Sequence, residues 1–288
     1  MAIVGRAVAY GAITIVNAIS CGLGAALGVD LKTEAKVKLT DEAGRVEGVI
    51  LSDPEESITL IKKTVMKVLK YFNLDGEYGA YVETRSNIPI ARGLKSSSVA
   101  ANAIALATVS ALGEKLDDIT IINLGVDAAV DAKVTITGAF DDACASYLGG
   151  VVITDNINRK ILKRIEPEEY TVLIHVPSKK AYTISSDVGR MRLIAREVRA
   201  IHKLALSGDY WSAMTLNGVI YSATLGYDPT IAIDAIKAGA IAAGLSGKGP
   251  AVASIVSEDH IDDVMLVWER YGGEIIRARI NNRKAHIL

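Results

Sequence analysis

Pro89-Ile90-Ala91-Arg92-Gly93-Leu94-Lys95-Ser96-Ser97-Ser98-Val99-Ala100 decides the reading of this chain. A strand-like run, Ala80 to Arg85, precedes it, and an Ala-rich helix, Val99 to Leu112, follows it. Such a stretch is a Gly- and Ser-rich loop that delivers its backbone to a helix N-terminus. The first N–H groups of a helix lack partners within the helix and sit at the positive end of its dipole, so that end favours an anion, phosphate above all. Three consecutive hydroxyls add oxygen donors of the kind Mg2+ prefers, and Lys95 adds a point charge suited to phosphate. The plainer reading is an ordinary serine N-cap. It is not a Walker A motif, because no G-x-x-x-x-G-K-[ST] occurs in the chain, and no dinucleotide fingerprint is present, because Gly22-Leu23-Gly24 is followed by Gly28, one residue too late.

Outward from the loop, the chain alternates irregularly between strand and helix signals. Ala7 to Ala18 reads as buried strand and Gly22 to Gly28 as a flexible turn region. Val37 and Leu39 alternate with Lys36 and Lys38, and Asp41 to Gly44 reads as a hairpin into a strand from Arg45 to Ile50. Asp53-Pro54-Glu55-Glu56 carries helix-start signals, and Ile58, Ile61, Val65, Val68, Leu69 and Phe72 follow at helical spacing. A helix from Leu116 to Ala129 is capped by Asp117 or Asp118, with Asp127 and Asp131 four apart. Pro167 marks the expected boundary between an N-terminal domain, 1–166, and a C-terminal domain, 167–288. The second part reads as a strand at Tyr170, a polar loop from Ser178 to Ser186, helices at Asp187 to Leu206 and Tyr210 to Leu225, a helix begun by Asp228-Pro229, strands on both sides of a Gly-rich loop, a helix from Ile261 and a last strand from Glu274. Mixed elements without strict alternation predict α+β layers rather than a doubly wound sheet.

Composition narrows the function. At 50% hydrophobic and 23% charged, the 288 residues belong to a globular protein. A net charge of -1 offers no electrostatic footprint for nucleic acid or an anionic membrane. Cys21 and Cys144 stand far apart with no C-x-x-C, so a reducing, cytoplasmic setting is expected and a zinc ribbon is not. The uncharged run Ala7 to Val29 contains Thr14, Asn17, Ser20 and four glycines, which suits strands and turns better than a lipid-spanning helix. His175, His202, His260 and His286 show no metal-ligand spacing.

Three segments together resemble a known superfamily. Pro89-x-x-x-Gly93-Leu94-x-Ser96-Ser97 is similar to the P-x-x-x-G-L-[GS]-S-S-A phosphate loop of the galactokinase, homoserine kinase, mevalonate kinase and phosphomevalonate kinase (GHMP) superfamily. Gly138-Ala139-Phe140-Asp141-Asp142-Ala143 resembles the segment that carries the catalytic Asp in several of those kinases, and Gly244-Leu245-Ser246-Gly247-Lys248-Gly249-Pro250-Ala251 resembles their Gly-rich C-terminal loop. Gly93-Leu94-Lys95-Ser96-Ser97-Ser98, with Thr137 to Ala143, looks closest to the archaeal-type shikimate kinases. Lys95 and Ser98 depart from the small residue and Ala of most relatives, and the Gly-Glu-His motif of the sugar kinases is absent.

The resemblance implies a two-domain fold, a ribosomal S5 domain 2-like N-terminal layer with a ferredoxin-like C-terminal domain. It also implies ATP with Mg2+ as the phosphoryl source and shikimate as acceptor, within aromatic amino-acid biosynthesis. Homoserine or mevalonate as acceptor, or a non-catalytic nucleotide-binding regulator on the same scaffold, are the alternatives. Pro89, Ile90, Ala91, Arg92, Gly93, Leu94, Lys95, Ser96, Ser97 and Ser98 would bind ATP. Asp141 would accept or orient the hydroxyl proton, its neighbour Asp142 leaving the order of the two open. Ser97 and Asp131, with Asp127 in reserve, would hold the metal. Gly244, Ser246, Gly247, Lys248 and Gly249 would form a substrate or phosphate loop. An acceptor carboxylate would want an Arg, for which Arg6, Arg92, Arg190 and Arg192 are available. No nucleic-acid or membrane partner is expected, and the oligomeric state stays open, a homodimer included.

Overall fold

A computed structural model describes residues 3–89, 93–177 and 188–288. Its longest feature is the antiparallel hairpin of β1 (Val4–Val16) and β2 (Leu23–Thr40). The second half of β2 keeps strict alternation: Leu31, Thr33, Ala35, Val37 and Leu39 face inward while lysines and Glu34 face out. Its first half is buried almost throughout, because further layers cover both faces. The region from Gly22 to Gly28, expected to be a turn, belongs mostly to this strand; the turn is the preceding segment, 17–22. Its glycines serve close approach rather than reversal. A Cβ at Gly24 would lie 2.5 Å from Asp141 Oδ2, and one at Gly28 would lie 2.8 Å from the Asn281 carbonyl.

The expected hairpin at Asp41 to Gly44 does not form. The chain turns there, but β3 (Val46–Ile50) pairs in parallel with β4 (Gly79–Ser86), which itself lies between β2 and β3. The connection from β3 to β4 carries α1 (Thr59–Tyr71), as a parallel pair requires. α1 starts five residues after Pro54: residues 51–58 form turns, and Ser57 Oγ accepts the Thr59 N–H. The Asp-Pro signal is therefore spent on a turn, which the same residues favour.

α2 (Ser96–Ala111) lies at the centre, buried along nearly all its length. Its alanines let it touch the sheet directly, since a Cβ on Gly5 would come within 2.0 Å of the Ala107 carbonyl. Asn102 ties it to α4 (Phe140–Leu148) through bonds from Nδ2 to the Ala143 carbonyl and Ser146 Oγ, each 2.9 Å. α3 (Asp118–Asp131) packs beside both, capped by Asp117, whose carboxylate accepts the Thr120 N–H. β5 (Val151–Asp155) and β6 (Lys160–Ile165) extend the sheet from β2.

The second sheet has the order β10-β7-β9-β8, from β7 (Thr171–Val176), β8 (Ala242–Leu245), β9 (Val252–Val256) and β10 (Glu274–Arg279). One expected helix is broken into α5 (Val188–Arg192) and α6 (Ala195–Ser207); α7 (Tyr210–Leu225), α8 (Thr230–Lys237) and α9 (Ile261–Glu269) follow. The chain end returns to the first sheet: β11 (His286–Ile287) pairs with β1. Among the described residues no helix is long and apolar enough to cross a membrane.

Candidate active site

The phosphate-type loop reaches α2 through two left-handed residues, Gly93 (φ 81°) and Lys95 (φ 62°). The first intrahelical bond runs from Val99 N–H to the Lys95 carbonyl. The N–H groups of Ser96, Ser97 and Ser98 thus have no helical partner, and all three residues line a cleft of about 420 Å3. Ile90, Ala91 and Arg92 lie outside the described residues. Pro89, Gly93 and Leu94 lead into the helix, Leu94 as a buried anchor.

Two other segments close on this loop. The β8–β9 loop docks on it: Ser246 Oγ donates to the Gly93 carbonyl at 2.9 Å, and a Cβ on Gly93 would lie 2.5 Å from the Ser246 carbonyl, so only glycine fits. Gly247, Lys248 and Gly249 line the cleft. Gly244 does not; it sits in β8 against Gly218 of α7, where a Cβ would meet the Met214 carbonyl at 2.6 Å. The β1–β2 turn forms the other wall. Asn17 donates its Nδ2–H to the Gly247 carbonyl at 2.8 Å, while its backbone N–H donates to Asn217 Oδ1 at 3.0 Å.

The acidic pair stands at the first turn of α4, which is entered through left-handed Ala139. Asp141 and Asp142 are both buried and both line the cleft. Asp141 Oδ1 accepts from Asn156 Nδ2 at 2.7 Å, and Asn156 Oδ1 in turn accepts from Thr154 Oγ1 at 2.6 Å. Asp142 instead pairs with Lys95, Oδ2 to Nζ at 2.9 Å. Burial pushes the Asp142 carboxyl up to about 7; Lys95 pulls it down and the charge of Asp141 adds to the rise. The two neighbours therefore have separate partners, one a neutral amide and one a cation.

The residues considered for the metal stand apart from the cleft lining: Asp131 forms an ion pair with Lys67 at 3.0 Å, and Asp127 pairs with Arg159 at 2.6 Å. Of the arginines considered for an acceptor carboxylate, Arg6, Arg190 and Arg192 do not line the cleft; its cations among the described residues are Lys95 and Lys248. Sequence reasoning missed Asn156 and the structural role of Asn17, although Asn17 was legible as an amide inside a long uncharged run. It also missed Glu56, an exposed residue of the turn before α1 that lines the cleft.

An open helix end facing a buried, oriented carboxylate across one cleft defines a class: proteins that hold a phosphorylated ligand against an acid–base group. Residues 59–150 match the model of the GHMP kinases N terminal domain. The chain is 49% identical to a shikimate kinase of Methanothrix thermoacetophila over 98% of its own length and 96% of the relative's. It is 48% identical to one of Methanosarcina mazei, over 99% and 97%. Among solved structures, homoserine kinase from Cytophaga hutchinsonii superposes with a TM-score of 0.78 at 17% identity, covering 100% of this chain and 98% of the other. The Methanococcus jannaschii mevalonate kinase does so with 0.78 at 17%, covering 98% and 99%. The chain belongs to the archaeal shikimate kinase family of the GHMP kinases.

Proposed function

We propose that this protein transfers the γ-phosphoryl group of ATP to a hydroxyl of shikimate, giving shikimate 3-phosphate and ADP. The observation that carries the reading is the placement of Asp141 in the same cleft as the open N–H groups of Ser96, Ser97 and Ser98. The helix end and its hydroxyls hold the phosphates. The acceptor oxygen bonds to the γ-phosphorus, the bond from that phosphorus to the β,γ-bridging oxygen breaks, and Asp141 takes the hydroxyl proton. The bond from Asn156 keeps that carboxylate oriented.

A second cavity, of about 110 Å3, adjoins the cleft at Ser96 and Ser97 and is lined by Ile50, Leu60, Ile61 and Ile104 with Ser52 and Thr84. Its apolar walls and scattered hydroxyls support it as the nucleoside side. Mg2+ takes oxygen ligands, and Ser97 and Glu56 both line the cleft; these are the residues that would hold it. When bound, the ion neutralises phosphate charge. We read 1–166 as the nucleotide-binding part and 167–288 as the part that supplies the Gly247–Gly249 wall.

The test is ADP release with ATP and Mg2+, offering shikimate, homoserine and mevalonate separately, repeated on Asp141→Asn. Turnover with shikimate alone, lost in the folded variant, is the expected result. Turnover with another acceptor alone would overturn the substrate.

A further inference from the structure

The two lysines of the cleft are in different electrostatic positions. Lys95 Nζ is paired with Asp142 Oδ2 at 2.9 Å. Lys248, at the tip of the β8–β9 loop, is half-buried and has no ion-pair partner among the described residues. Burial and the nearby charge of Lys95 lower its pKa. An ammonium held out of water without a counter-charge costs free energy until an anion arrives.

The loop that carries it is fixed from three directions. Gly247 N–H donates to Thr14 Oγ1 at 2.9 Å, Asn17 donates to the Gly247 carbonyl at 2.8 Å, and Ser246 Oγ donates to the Gly93 carbonyl at 2.9 Å. None of these bonds uses the Lys248 side chain. The backbone is organised to present that ammonium to the cleft, which lowers the ordering cost of binding.

The cleft admits two anions, a nucleotide phosphate and an acceptor carboxylate. The phosphates already have the helix end of Ser96–Ser98. The nucleoside-side cavity adjoins the cleft at Ser96 and Ser97 and includes neither Lys248 nor Asn17 nor Asp141. Lys248 follows Gly247, whose carbonyl Asn17 holds, and the arginines at 6, 190 and 192 do not line the cleft.

We propose that Lys248 binds the carboxylate of the acceptor and so selects a hydroxylated acid over a neutral alcohol. The inference rests on shikimate being the acceptor.

The experiment compares wild type, Lys248→Met, Lys248→Arg and Arg92→Ala, each with ATP, Mg2+ and either shikimate or its methyl ester. Loss of a charge-assisted contact corresponds to roughly tenfold to a hundredfold in affinity. Lys248→Met should raise KM for shikimate by that factor and leave KM for ATP within about twofold, a change too small for a lost phosphate contact. Lys248→Arg should recover part of the loss. The ester should be a poor substrate for wild type and should lose little more in Lys248→Met.

An unchanged KM for shikimate in Lys248→Met overturns the proposal. So does a rise confined to ATP, or a selective rise for shikimate in Arg92→Ala alone. If Lys248→Met melts early, the acid-against-ester comparison in wild type and Lys248→Arg decides: equal use of both overturns it. Wild type inactive on shikimate would sink the substrate reading, and this inference with it, before any variant is compared. Wild type active with an indifferent Lys248→Met would sink the inference alone.

Discussion

Lys95 Nζ lies 2.9 Å from Asp142 Oδ2, and both side chains are nearly buried, 12% and 8% exposed. The pair joins the phosphate-type loop to the first turn of α4, so the departure at Lys95 and the second acid of the Asp141-Asp142 pair are one feature. Removing one partner strands the other. At pH 8, where Asp142 carries its charge, Lys95→Met should lower stability by roughly 1–3 kcal/mol, while the double variant Lys95→Met, Asp142→Leu should recover much of that loss. Chemical denaturation of the four proteins in this cycle measures it; additive losses would show the pair to be uncoupled.

Asp142 also sets a pH dependence. Its carboxyl is raised from 3.8 to about 7, chiefly by burial, so across that window the folded protein keeps a proton that the unfolded chain has released. Stability from this group is fully present below the unfolded value and is lost as pH rises through about 7. Without nucleotide, the melting temperature of wild type should fall by about a few degrees relative to Asp142→Asn between pH 5 and pH 8. A parallel course for the two proteins would refute this.

The parts of this protein that were legible in the sequence are those whose chemistry is local. The loop from Gly93 to Ser98, the α+β mixture, the central slim helix and a cap at Asp117 or Asp118 follow from neighbouring residues alone, and the cap is Asp117. The Lys95–Asp142 pair, the Asn156 support of Asp141 and the Asn17 brace depend on segments far apart in the chain, and no local pattern announces them. Gly24 and Gly28 misled because glycine marks close approach as readily as a turn. Asp41 to Gly44 gave the reversal correctly but not the partner, since a turn does not say that β4 will insert between β2 and β3.

The metal set expected from the resemblance included Asp131, and its ion pair with Lys67 argues for a different outcome. Exposed pairs contribute at most about 1 kcal/mol, so Asp131→Asn should change stability little. It should also leave the magnesium dependence of turnover unaltered. Ser97→Ala and Glu56→Gln should each shift the magnesium titration to higher concentration. A shift in Asp131→Asn with none in the other two would restore the original assignment.

Gly244 was expected to serve a ligand, yet it packs strand β8 on helix α7. A methyl group there meets the Met214 carbonyl at 2.6 Å and Gly218 Cα at 3.1 Å, both backbone atoms that cannot rotate aside. Gly244→Ala should therefore cost about 1–3 kcal/mol of stability. Below its melting point the variant should keep both KM values near wild type. A normal melting curve with a raised KM would mean that Gly244 acts on the ligand after all.

Asn156 supports Asp141 without lining the cleft. Its Oδ1 accepts from Thr154 Oγ1, which fixes the amide so that Nδ2 donates to Asp141 Oδ1. Asn156→Ala should therefore loosen the orientation of that carboxylate, and kcat should fall by roughly tenfold, less than the loss from removing a general base outright. KM for ATP should change little, because the phosphate-holding helix end is untouched. A merely structural role would lower the melting temperature and leave kcat in place below it, so an unchanged kcat in the folded variant would remove Asn156 from the mechanism.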